Sequence, residues 1–213
     1  MTSNSVRALA ISKNYGALPL GFEPNRGQTD SRVQFLARGP GYTIYLSPTS
    51  ATFSLQRHSS SVESAVIRMD LSGANRAAPM ESQDKLPGIT NYLMGGTRTK
   101  WLTNLPNYAK TRTRNLYPGI DLVYYGTQGQ LEYDFVLAPR ADPSRIRMRF
   151  EGAKPVIDRA GDLVLRLPSK ASPSDIRFQK PVLSVGRRGP STRQRQVHDR
   201  FRKPGSRLPG RFL

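Results

Sequence analysis

The sequence contains no cysteine. That excludes a disulfide framework, a thiolate nucleophile and any zinc site built on cysteine. Histidine is nearly as scarce: His58 lies in a Ser-rich stretch and His198 near the end of the chain. Neither a metal cluster nor a Ser/His/Asp arrangement can be assembled from these two, so no metal and no cofactor is expected. No apolar run approaches the roughly 18 residues of a membrane-spanning helix, so no membrane span is expected. Capped apolar stripes at helical spacing are missing as well. No repeat period is found, which argues against a propeller made by this chain alone. The first residues are polar and mixed, with no apolar core of a signal peptide, so no export signal is legible there.

What the chain has in quantity is turn formers and positive charge. Its 213 residues include 18 Gly and 17 Pro, with 37% hydrophobic and 8% aromatic residues. This is enough for one modest core divided among short strands. Alternation of apolar and polar residues marks those strands. Tyr42, Ile44 and Leu46 share one face of Tyr42–Leu46, with Tyr45 on the other, and Phe53 and Leu55 return inward after a turn at Ser47–Ser50. Val66–Leu71 and Ile89–Met94 alternate in the same way, whereas Ser72–Pro87 has no period and reads as the longest internal loop. The clearest pattern pairs Ile120–Tyr125 with Gln130–Leu137 across Gly126–Gly129. Leu131, Tyr133, Phe135 and Leu137 fall on one face, Glu132 and Asp134 on the other. Arg145, Arg147 and Arg149 alternate strictly with Ile146, Met148 and Phe150. About ten strands at this spacing predict an all-β fold, an antiparallel β-sandwich.

The net charge of +18 invites a nucleic-acid reading, but the charge is uneven. The stretch from Gly186 to Leu213 holds nine basic residues against one acid, Asp199, leaving the rest of the chain at +10. With four Gly, three Pro and no apolar period, residues 186–213 read as a disordered Arg-rich tail. Residues 1–19 read as a disordered N-terminal segment and 20–185 as the β domain. A frameshift would produce the composition of the tail, and the expectation is a truncated fragment of a longer protein. Binding of nucleic acid or another anionic polymer by the tail is a less favoured alternative.

A series of motifs runs along residues 20–185. It starts with Phe22-Glu23-Pro24-Asn25-Arg26-Gly27-Gln28 and Phe35 to Tyr42, and continues through Asn91-Tyr92 near Trp101. Tyr117 to Gly126 and Gly129 to Phe135 are the most specific; Asp142-Pro143, Ile146 to Gly152, Gly161-Asp162-Leu163 and Lys180-Pro181-Val182 follow. In this order they resemble the N-terminal domain of bacterial proteins carrying SBBP (seven-bladed β-propeller) repeats, a domain of unknown function classed as DUF7948. The resemblance implies an extracellular or cell-surface module that precedes propeller repeats.

Candidate chemistry is sparse. Glu132 and Asp134, with Asp121 near in sequence, offer an acid pair of the kind that cleaves glycosidic bonds. If Gln130–Leu137 pairs with Arg145–Phe150, however, both acids face Arg145, Arg147 and Arg149 in cross-strand ion pairs, each worth a few tenths of a kcal/mol. That reading is preferred, and the chain is expected not to be an enzyme. Tyr45 and Tyr125, each opposite the apolar face of its strand, and Trp101 are candidates for stacking on a sugar, though aromatic residues are also ordinary core fillers. Asp158 and Asp162 bracket a turn but lack the ligand alternation of a calcium loop. The expectation is a structural or interaction module with a surface glycan or a protein as partner. The alternatives are a carbohydrate-binding or glycan-cleaving domain using Glu132 and Asp134, or a basic-tail binder.

Overall fold

The computed structural model describes residues 20–39, 41–55, 65–94, 96, 98–127, 130–168, 175–180, 182–188 and 192–202. Residues 1–19, residues 56–64 with His58, and residues 203–213 lie outside them. Strands dominate: β1 (Phe22–Pro24), β2 (Phe35–Gly39), β3 (Tyr42–Ser47), β4 (Ser50–Leu55), β5 (Ala65–Leu71), β6 (Met80–Tyr92), β7 (Leu102–Tyr117) and β8 (Ile120–Thr127) come first. They are followed by β9 (Gln130–Leu137), β10 (Met148–Glu151), β11 (Lys154–Ile157), β12 (Leu163–Arg166), β13 (Ile176–Phe178), β14 (Val182–Arg188) and β15 (Thr192–Arg202). Two short 3-10 turns, Arg98–Lys100 and Pro143–Arg145, are the only helical segments among the described residues. None of these is long and apolar enough to cross a membrane.

The fold is all-β and antiparallel, as the alternation predicts. Its two facing layers, though, are parts of one hydrogen-bonded path of order β10-β5-β4-β3-β2-β1-β7-β8-β9-β15-β13-β12-β11, with β6 on β7 and β14 on β15. β1 joins the two halves at one register position on β7, Phe22 opposite Tyr108. The path curls until strands far apart along it touch. Phe53 of β4 meets Phe178 of β13 edge to face, ring centroids 6.3 Å apart, and Phe150 and Tyr133 reach the same ring at 6.2 and 6.1 Å. Ile44, Leu46, Ile67, Met69, Tyr124 and Phe135 fill the enclosed space and are almost fully buried. Burying each such side chain contributes about 1.5–3 kcal/mol.

The β3–β4 and β8–β9 hairpins form as expected. The β3–β4 loop is tighter than the sequence suggests: Ser47 pairs with Ser50, which leaves a two-residue turn, Pro48-Thr49.

Two expectations are corrected. Ser72–Pro87 is not loop throughout, because Met80 begins β6, which pairs with β7. Left-handed backbone at Asp84 (φ 57°) and a register shift between Lys85 and Ile89 interrupt the alternation and hide that strand from a period-2 reading. Next, β10 pairs with β5, Arg149 opposite Asp70, so Arg145, Arg147 and Arg149 do not face Glu132 and Asp134. Alternation assigns faces, not neighbours. The stretch from Gly186 is described at residues 186–188 and 192–202. Gly186–Arg188 complete β14, and Thr192–Arg202 form β15 between β9 and β13. The far side of β9 offers a row of backbone N–H and C=O groups, and pairing with it needs no apolar period.

Candidate functional site

A concavity of about 1070 Å³ lies on the outward face of β3, β4, β5 and β10. Two rows of side chains floor it by register. Tyr45, Thr52 and Arg68 stand side by side across β3, β4 and β5, and Ser47, Ser50, Asp70 and Arg149 form the next row. One wall is the loop after β1. There Asn25 acts as a clasp: its Nδ2 donates to the carbonyls of Asp30 (2.8 Å) and Val33 (2.9 Å), while its Oδ1 accepts from the amides of Gly27 (3.1 Å) and Thr29 (3.3 Å). Asp30 and Arg32 on that loop hydrogen-bond each other, which holds the Asp30 carboxyl well below the usual carboxylate range. The opposite wall is Ser72–Ala74 with Arg76.

A second concavity of about 420 Å³ shares Ser72 and Gly73 with the first and adds Arg145, Arg147 and Asp142. The groove formed by these two adjoining concavities carries six arginines, Arg32, Arg68, Arg76, Arg145, Arg147 and Arg149, against three aspartates, Asp30, Asp70 and Asp142. Ion pairs engage part of this charge: Arg68 with Asp70 at 2.9 Å, Arg149 with Glu151 at 2.9 Å and Arg145 with Asp142 at 4.0 Å. Arg76 and Arg147 make no ion pair among the described residues.

The sequence-predicted site residues do not converge. Tyr45 lines the groove. Tyr125 lies on β8, four strand spacings away along the path, roughly 19 Å in a flat sheet. Its Oη donates to Asp134 Oδ1 at 3.1 Å, and burial, followed by the charges of Asp134 and Glu132, pushes the phenol far above its ordinary pKa. Glu132 and Asp134 are 5% and 6% exposed and line neither concavity. On their other side β15 sets Arg200 and His198 opposite them in backbone register. Trp101 is half-buried ahead of β7, where the Arg98 guanidinium sits 5.6 Å from its ring. Asp121, the third acid of the suggested cluster, holds a bulge in β7: it accepts from Arg112 at 2.6 Å and from the Asn115 amide at 2.7 Å. Asp158 and Asp162 both accept from Arg177, which occupies the space a cation would need. No cluster of three or more metal-ligating side chains occurs among the described residues.

Arg32, Arg68, Arg76 and Gln34 are groove residues that the sequence reading missed. Alternation in Val66–Leu71 already turns Arg68 and Asp70 outward. Nothing in the sequence brings the loop residues Arg32 and Arg76 to the same place.

No curated protein and no solved structure matches the chain. The model of the family described as a domain of unknown function, DUF7948, matches residues 22–206, and the chain belongs to that family.

Proposed function

We propose that the chain is a non-catalytic interaction module of a bacterial cell-surface protein that carries β-propeller repeats. The observation that carries this reading is where the polar residues of its motifs go: they tie the fold together. Asn25 clasps the loop after β1. Glu23, buried on β1, accepts from Tyr92 Oη, which itself accepts from Arg38 at 2.7 Å, so the far end of β6 is fastened across β1 and β2. Asn91 Oδ1 caps the Asn104 amide at 2.8 Å, Asp121 secures the β7 bulge, and Asp162 accepts from the Lys180 amide at 2.8 Å. Glu132 and Asp134, the acids a glycosidase reading needs, are buried beside Tyr125 and line neither of the two concavities. The surface location and the neighbouring repeats rest on the motif resemblance.

The test pairs a glycan and envelope-protein binding screen with product analysis, using the chain and its Glu132→Gln/Asp134→Asn variant. Binding without shortening of any glycan, unchanged in the variant, is expected. Release of shorter sugars by the native chain, lost in the variant, overturns the reading. Surface labelling of intact producing cells is expected to reach the protein; labelling only after lysis removes the cell-surface assignment.

A further inference from the structure

We propose that the groove on the outward face of β3, β4, β5 and β10 binds an acidic oligosaccharide, a uronic acid polymer, with a sugar ring against Tyr45 and carboxylates on the arginines beyond it. The inference rests on the module reading above and gives that module its ligand class.

Three features of the groove lead here. Its extent fits a chain rather than a single ring, because the concavities of about 1070 and 420 Å³ adjoin at Ser72 and Gly73. Its charge is positive but mixed, six arginines alternating with three aspartates. The Arg149 and Arg68 side chains are 67% and 47% exposed, so both offer N–H donors beyond their ion pairs with Glu151 and Asp70. Planar guanidinium groups match carboxylates in a two-pronged geometry. The polar floor completes the match. Tyr45 is followed by the hydroxyl of Thr52, by Ser47, whose hydroxyl donates to the Arg32 carbonyl and can still accept, and by the Asp70 carboxylate, which together offer a donor and acceptors to sugar hydroxyls.

The same features disfavour single-stranded nucleic acid. That ligand calls for several aromatic rings on which successive bases stack; the groove has Tyr45 and Tyr117, and Tyr117 is only 3% exposed. The alternating arginines of Arg145–Phe150 thereby gain a role: they belong to the groove and not to Glu132 and Asp134.

Calorimetric titration of the chain with oligogalacturonate, a malto-oligosaccharide of equal length and oligothymidylate tests the assignment. Oligogalacturonate is expected to bind, more weakly as salt rises, and the neutral sugar is not. Tyr45→Ala and Arg68→Ala are each expected to weaken binding about tenfold or more. Arg114→Ala, whose side chain pairs with Glu81 away from the groove, is expected to leave it unchanged. Unaltered melting temperatures certify that the variants fold. Failure of oligogalacturonate to bind, binding indifferent to both groove variants, or equal binding of oligothymidylate overturns the proposal and leaves the module reading standing. Shortening of the oligogalacturonate that Tyr45→Ala abolishes keeps the groove assignment and overturns the module reading instead.

Discussion

Gly152 links β10 to β11 with φ 81°, and a Cβ there would lie 2.1 Å from the Val66 carbonyl oxygen. Left-handed backbone and contact with a rigid main chain act together, so no side chain fits. Gly152→Ala is expected to destabilise the protein by about 2–4 kcal/mol, read as a lower urea midpoint, and an unchanged midpoint refutes the account. Thr113 presents the opposite case. It is fully buried opposite Leu122, and its hydroxyl, like those of Thr111 and Tyr124, has no hydrogen-bond partner among the described residues. Thr113→Val keeps the shape and removes an unpaired polar group, so stability should rise by about 1 kcal/mol, seen as a higher melting temperature. At this scale the face of Tyr45 is legible from its alternation with Ile44 and Leu46. That it lines a groove is not, because the walls come from loops remote in sequence.

Among the elements, the loop after β1 depends most on one side chain. Asn25→Ala removes the donor to Asp30 and Val33 and the acceptor for Gly27 and Thr29. Amides of residues 26–34 should then exchange faster, and stability should fall by about 1–2 kcal/mol; unaltered protection would show that the clasp is dispensable. The β11–β12 turn predicts a pH effect. Hydrogen bonds from Arg177, and then from the Asp162 and Ala160 amides, hold the Asp158 carboxyl below its ordinary 3.8. A carboxyl depressed in the folded state contributes stability that is fully present above the unfolded value and is lost as pH falls through the folded one. Acid unfolding below about pH 4 should therefore flatten in Asp158→Asn, and an identical acid limb would contradict the prediction. The β3–β4, β8–β9 and β11–β12 hairpins are legible because their partners are adjacent and one face is apolar. β6 is not: Met80–Tyr92 is half-exposed along its length, and its bulges break the period.

For the molecule as a whole, the pairing order carries the information that the sequence does not. Strand faces follow from alternation, but the pairing of β10 with β5 and of β15 with β9 follows from how the path curls around the ring of Phe178. The basic stretch belongs to that path as far as Arg202, so removing residues 186–213 strips β9 and β13 of a neighbour. The shortened chain is expected to lose its cooperative melt and to self-associate through the bared edge, as seen by size-exclusion chromatography. A monomer with the full-length melting temperature would show that β15 adds nothing.

The position of the first and last strands among the described residues has a mechanical consequence. β1 lies between β2 and β7, and β15 lies between β9 on one side and β13 and β14 on the other. A pull transmitted along the chain therefore enters the sheet at interior strands. It must break hydrogen bonds on both flanks of the loaded strand before the core opens, whereas an edge strand would peel from one flank. Stretched along its chain, the domain would resist as a clamp.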